Sequence, residues 1–417
     1  MYGLHQGTHH FNSFDQVQSL PAILQKNNIR TGIIGKKHVG PSPVYPFDFA
    51  ATEENNSIMQ VGRNITRMRQ LARSFLTQKD DRPFFLYIGF HDPHRCGHTN
   101  PEFGAFCEKF GNGEAGMGRI PDWTPIHYDP DDVEVPYFVP DTPAARMDIA
   151  NQYTTISRLD QGIGVMMQEL EISGHLEDTL VMFTSDNGIP FPLGRTNLGE
   201  AGTREPFLMS SPDHRQTWKQ ESASLISTLD IVPTVLDWFN ITPPIYTLNK
   251  HQVTYTGHSL LPSLEGTTDS PVFSSQSLHE ITMYYPMRTI RTKQYRLIKN
   301  INYKMPFPID QDFYLSPTFQ NILDRERNHQ DQHWIKTLSQ YYYRPSYELY
   351  DLETDPKELK NLVGDAKYSD IFKGLNDQLN DWQNATADPW ICSPVGVLED
   401  AGAYKQHPVC MPLLNHL

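Results

Sequence analysis

An apolar run, Thr179-Leu180-Val181-Met182-Phe183-Thr184, stops abruptly at Ser185-Asp186-Asn187-Gly188. Six residues of this kind, bounded by polar ones, read as a buried parallel strand. Asp186 and Asn187 then fall at its carboxyl end, where open α/β sheets gather their ligands. A carboxylate beside an amide suits a hard cation such as calcium. Taken alone, Asp-Asn-Gly equally well closes a strand in a turn, so the rest of the chain has to decide.

Two further segments repeat the pattern. Arg30-Thr31-Gly32-Ile33-Ile34-Gly35 runs into Lys36-Lys37-His38, and Pro83 to Phe90 runs into His91-Asp92-Pro93-His94. With the three strands side by side, their tips bring a cation site, a fixed positive charge and two imidazoles into one crevice. That is equipment for binding a tetrahedral anion. Each piece alone is also an ordinary solvated loop or turn.

Between the strands, residues 57–77 and 142–173 space their apolar residues as helices do, which is the alternation of a wound, largely parallel sheet. The helix around Asn151 to Asp160 is expected to bury a stripe and turn its charges to solvent. The stretch from His98 to Pro140 is rich in Gly, Pro and Asp and reads as a long ordered loop over the crevice. After about residue 265 the rhythm changes: Met287 to Thr292 and Tyr295 to Lys299 alternate as antiparallel strands do, and a helix follows over 370–383. The fold expected is α/β, a wound and mostly parallel sheet with helices on both faces in residues 1–265, with a smaller α+β domain around an antiparallel sheet in 266–417.

Several of these segments also carry a family resemblance. Gly35-Lys36-Lys37-His38-Val39-Gly40 resembles the Gly-Lys-x-His-x-Gly signature of the sulfatases, His91 to His94 their second histidine segment, and Ser185 to Gly188 their metal strand. Glu200-Ala201-Gly202-Thr203-Arg204-Glu205-Pro206 partly fits their Glu-Gly-Gly-x-Arg-Val-Pro element. Ser227 to Leu236 is similar to a later helix of theirs, and Tyr347 to Leu362 to a C-terminal element. Phe47-Asp48-Phe49, Asp186 to Pro192 and Met305 to Tyr314 resemble the branch that removes N-linked sulfate from glucosamine.

The resemblance implies an alkaline-phosphatase-like fold and a sulfohydrolase acting in the lysosome on a heparan sulfate-derived oligosaccharide, and it leaves a homodimer open. It implies that Asp186 and Asn187 ligate one calcium ion and that Lys36 neutralises a sulfate oxygen. His38 is then expected to help break down the sulfated intermediate, and His94 to protonate the leaving group. Arg195 stands where many sulfatases have a sulfate-binding lysine; a guanidinium holds sulfate or a sugar carboxylate bidentately, and the alternative is a loop salt bridge. His91 and Asp92 are secondary site candidates, with shaping of their loop as the alternative.

The family's nucleophile is a formylglycine made from the Cys of Cys-x-Pro-Ser-Arg, and two adjacent aspartates on a first strand complete its calcium shell. Neither feature occurs in these 417 residues. The expectation is therefore a sequence that begins inside the family pattern and, as written, lacks turnover. Cys392-Ser393-Pro394 begins like the motif but continues Val395-Gly396. The four cysteines instead form two sequence-local pairs, Cys96 with Cys107 and Cys392 with Cys410, and no C-x-x-C suggests zinc.

Four sequons, at Asn55, Asn64, Asn240 and Asn384, accompany these pairs, and both features suit an oxidising secretory route. Residues 1–25 contain no basic flank followed by an apolar run, and no stretch of eighteen apolar residues occurs. The net charge of −14 rises to +3 once all seventeen histidines are protonated, so an acidic lumen eases the approach of a polyanionic sugar. No basic run with interleaved aromatics points to nucleic acid. Two other classes remain open at this stage: a non-catalytic glycan binder, and a phosphatase or phosphodiesterase of the wider superfamily.

Overall fold

The computed structural model describes residues 4–6, 11–97, 103–248, 251–264, 266, 270–278 and 283–413. The first half of the chain runs α1 (Leu20–Lys26), β1 (Arg30–Gly35), β2 (Phe49–Thr52), α2 (Ile65–Leu76), β3 (Phe84–Gly89), α3 (Pro143–Ile172), β4 (Val181–Thr184), β5 (Phe207–Ser210) and α4 (Ile231–Trp238). The second half runs β6 (Val272–Gln276), β7 (Met287–Arg291), β8 (Tyr295–Asn300), α5 (Pro317–Arg327), β9 (Tyr347–Asp351), α6 (Ser369–Ala385), β10 (Gly396–Glu399) and β11 (Val409–Pro412).

β1 lies at the centre of a parallel sheet, with β2 on one side and β3 on the other. Because successive side chains point to opposite faces, β3 serves two layers. Leu86 and Ile88 pack with Ile34, Met68 and Met166 on the side of α2 and α3, and Phe85 packs with Leu24 and Val235 on the side of α1 and α4. All six residues of β1 are buried, as a strand covered on both faces requires.

The helix expected over 142–173 forms as Pro143–Ile172. Thr142 caps it by accepting a hydrogen bond from the Ala145 amide, and Pro143 sits in the first turn. The helix expected over 57–77 divides into Ile58–Gly62 and α2, which Asn64 restarts by capping the Arg67 amide. The interruption has a steric cause: the His91 ring lies where a Cβ on residue 62 would stand, 2.1 Å from that position, and Arg63 turns inward.

The strand expected over Thr179 to Thr184 forms as Val181–Thr184, but outside the parallel sheet. β4 is half-buried and pairs antiparallel with β5, in a two-stranded sheet apart from β1 to β3. It stays close to β3, since Val181 packs near Phe84 and Met182 near Phe85. An apolar run specifies a strand but not its partner or direction, and Phe207-Leu208-Met209-Ser210 offers a run of matching length.

In the second half, β6 to β9 form a four-stranded antiparallel sheet in sequence order. α6 covers one face through Leu375, Leu379 and Trp382, which pack on Ile290, Leu297 and Leu349. This sheet is tied to the first half by charge. Arg296 of β8 pairs with Glu358 at 2.8 Å and with Glu200, and donates to the Leu198 carbonyl at 2.8 Å; the Glu358 carboxylate accepts from the Glu200 amide at 2.7 Å. Arg344 donates to the Asn197 side chain at 2.6 Å. Both expected disulfides are present.

α2 and α3 are clamped by Glu169, whose carboxylate accepts from Arg73 at 2.6 and 2.8 Å and from Arg69 at 2.6 Å. These bonds, those from Arg73 foremost, hold the carboxyl down at about 2 against an ordinary 4.5. A folded-state value depressed in this way stabilises the fold fully above the unfolded value and is lost as pH falls through the folded one. Denaturant unfolding at successive pH values should therefore show wild type losing stability between about pH 4.5 and 2. E169Q should be less stable at pH 7 and lose less over the same interval; equal acid slopes would refute the clamp.

Candidate active site

The tips of β1 and β3 are held together by glycine. Gly35 has φ of +99°, and a Cβ there would lie 2.0 Å from the Gly89 carbonyl oxygen, so only glycine fits. The turn it permits lets the Lys36 amide donate to that oxygen at 2.9 Å and sends three polar side chains out of the sheet. Lys36 Nζ lies 3.9 Å from Asp186 Oδ2 beyond the end of β4, so the charged tips of β1 and β4 do meet. Lys37 points elsewhere, with its amide on Glu53 and its Nζ 3.0 Å from Glu54. His38 Nε2 lies 3.5 Å from Glu53 Oε1, and its ring meets His91 edge-on at 6.3 Å.

After β3 the chain makes a tight turn, with the His94 amide donating to the His91 carbonyl at 2.7 Å. Asp92 sits inside it, buried between two arginines. Arg158 donates to it at 2.7 and 3.0 Å, and Arg63 pairs with it from the other side. Arg63 also donates to the His94 carbonyl at 3.0 Å, and Arg158 to the carbonyls of Cys107 and Phe110. Arg158 was expected on a solvated helix face and is instead fully buried. Helical spacing identified the stripe but not the buried carboxylate that draws a guanidinium into it. The next residue, Arg95, is likewise buried, pairing with Asp148 at 2.8 and 2.9 Å between the rings of Phe106 and Phe191.

His94 faces an acceptor at each ring nitrogen: Nδ1 lies 2.8 Å from the Arg95 carbonyl and Nε2 lies 3.5 Å from Asp312 Oδ2. A carbonyl only accepts, so Nδ1 carries a proton. Burial first, then the cations Arg195 and Lys36, hold His94 well below the ordinary imidazole range. His91 is pushed down to about 2 by burial and by Arg63, so it stays neutral and fills space. Arg195 is buried beside two carboxylates, 3.2 Å from Asp312 and 3.6 Å from Asp310.

Reading the sequence missed Asp310 and Asp312 as site residues, although the segment Met305 to Tyr314 stood out. The available signal was Asp-x-Asp after a proline: Asp310 caps the short helix Gln311–Tyr314 and so presents Asp312 inward. Glu205 was passed over as well. Burial and the charge of Asp186 raise its carboxyl to about 7.

Removing Asp92 would leave two guanidinium groups buried without their shared partner. D92A should lose about 3–5 kcal/mol of unfolding free energy in denaturant titrations. A loss near zero would mean that Arg63 and Arg158 are held by their carbonyl acceptors alone.

A family model described as Sulfatase matches residues 2–241, and one described as N-sulphoglucosamine sulphohydrolase, C-terminal, matches residues 311–385. The chain belongs to the sulfatase family. Human N-sulphoglucosamine sulphohydrolase is 60% identical over 419 aligned residues, covering 100% of this chain and 83% of that protein. Two solved structures share the sulfatase fold. One, bound to its substrate D-glucosamine-2-N,6-O-disulfate, superposes with a TM-score of 0.55 at 18% identity, over 90% of this chain and 84% of its own. The other, a putative sulfatase from Bacteroides thetaiotaomicron, gives 0.57 at 18% identity, over 91% and 77%.

For a sulfatase the two implied groups fit unequally. Asp186 offers an exposed carboxylate, and Asn187 spends its amide nitrogen on the Gly188 carbonyl at 3.0 Å, which leaves its oxygen as the donor. Two hard oxygens suit calcium, yet calcium takes about six to eight. Among the described residues no cluster of three or more His, Cys, Asp or Glu completes the shell. Formylglycine has no source in these 417 residues: all four cysteines are joined in disulfides, Cys392 included.

Proposed function

We propose that this chain supplies the substrate-binding and leaving-group side of a lysosomal sulfohydrolase that removes N-linked sulfate from glucosamine at the non-reducing end of heparan sulfate. The observation that carries the reading is 60% identity to human N-sulphoglucosamine sulphohydrolase along the whole chain. The convergence of Lys36, Asp186, His94 and Arg195 supports it.

In this reading Lys36 meets a sulfate oxygen from the tip of β1, with Asp186 as its counter-charge while no substrate is bound. Arg195 meets another oxygen by exchanging part of its pairing with Asp310 and Asp312 for the ligand. His94, fixed through Nδ1 to the Arg95 carbonyl, presents Nε2 to the leaving nitrogen. His38 lies two residues after Lys36 and is oriented by Glu53, placed to take a proton from an oxygen of the intermediate. Asp186 and Asn187 give two of the ligands of a calcium ion, which when bound offsets charge on the sulfuryl oxygens. The covalent step has no donor among these residues, so the 417-residue polypeptide binds and orients but does not turn over.

The test is to offer the purified polypeptide heparan-derived oligosaccharides ending in N-sulfoglucosamine or in its de-N-sulfated counterpart, and to follow both binding and sulfate release. The N-sulfated end should bind more tightly, K36A should weaken that binding by about tenfold, roughly 1.4 kcal/mol, and no sulfate should appear. Equal binding of the two ends would refute the substrate class. Sulfate release would refute the statement about the nucleophile.

A further inference from the structure

His94 presents a conflict that its surroundings can resolve. A leaving-group donor needs a proton on Nε2, yet the half-buried ring lies among Arg195, Lys36 and Arg63, all of which oppose a further charge. Nδ1 already donates to the Arg95 carbonyl at 2.8 Å. Nε2 lies 3.5 Å from a carboxylate oxygen, Asp312 Oδ2, and the same oxygen takes Arg195 Nη1 at 3.2 Å. One carboxylate oxygen thus stands between the proton donor and a cation of the anion site.

The groups facing His94 come from four elements. Lys36 follows β1, Arg63 caps the short helix Ile58–Gly62 and is itself held by Asp92, and Arg195 lies in the loop after β4. Asp312, with Asp310 beyond it, belongs to the helix Gln311–Tyr314. An anion seated on Lys36 and Arg195 changes this balance twice. It offsets two of the three cations that oppose protonation, and it draws Arg195 Nη1 away from Asp312 Oδ2, which makes that oxygen a better acceptor for Nε2.

We propose that anion binding at Lys36 and Arg195 places a proton on Nε2 of His94, and that Asp312 is the positioning residue that makes the two events one. This rests on the sulfohydrolase reading for its purpose, but not for its test. His94 is neutral in the empty site and an imidazolium with both N–H groups accepted in the occupied one. The proton comes from solvent with the anion, and by linkage the anion binds more tightly where protons are available.

Inorganic sulfate is the probe, titrated into the 15N-histidine-labelled polypeptide at a series of pH values. His94 is identified as the ring signal lost in H94Q. Between about pH 5 and 7 wild-type affinity should fall about tenfold per pH unit, and bound sulfate should move both His94 ring nitrogens to imidazolium shifts. D312N should still bind sulfate, but with less than about threefold change per pH unit and no imidazolium; D312E should restore both. Sulfate bound by wild type with His94 still neutral overturns this proposal alone. Failure to bind sulfate at all overturns it together with the anion site. Should D312N not fold, D312S takes its place, and sulfate bound by D312S with the wild-type pH dependence and imidazolium shifts overturns the role of Asp312.

Discussion

The buried carboxylate of Asp92 holds three segments of the molecule together. It joins the turn after β3 to α3 through Arg158 and to the break between two helices through Arg63. The same arginines continue outward: Arg63 fixes the carbonyl of His94, and Arg158 fixes the carbonyl of Cys107 in the disulfide-closed loop. A carboxylate with two guanidinium partners in a dry interior is tolerated only when all its oxygens are met, and here they are. The position of His94 is thus a property of the core rather than of a surface loop.

Around that frame the site separates its charges with care. Lys36 is answered by Asp186, Lys37 by Glu54, Arg195 by Asp310 and Asp312. Each cation near the crevice thus has a carboxylate within reach, so none stands as a bare charge in a low-dielectric setting. An incoming anion competes with carboxylates already in place, and affinity is then set by exchange rather than by simple attraction. Burial and neighbouring cations lower the proton affinity of both His91 and His94.

Much of this was legible in the residues alone. Polar side chains immediately after apolar runs marked the ends of β1, β3 and β4, because a strand must leave the sheet where its apolar pattern stops. Cysteines near one another in sequence marked the two bridges. What local pattern cannot carry is the identity of a distant partner. β4 paired with β5 rather than continuing the parallel sheet, Arg158 turned inward to a carboxylate 66 residues away, and Asp312 reached Arg195 across 117 residues. In each case the deciding contact is made only after the chain has folded, and periodicity within a short window has no access to it.

The arginines of the second half give the smaller sheet a role beyond its own core. Arg296 of β8 and Arg344, just before β9, hold Leu198 and Asn197, the residues that follow Arg195 and Thr196. Asp310 and Asp312, which hold Arg195 itself, also come from this half. The loop that carries the guanidinium is therefore suspended from the second half of the chain. This makes the antiparallel sheet a jig for the crevice, so the two halves cannot be exchanged as independent modules between relatives. A substitution deep in β8, far in sequence from any motif, belongs among those able to silence the site.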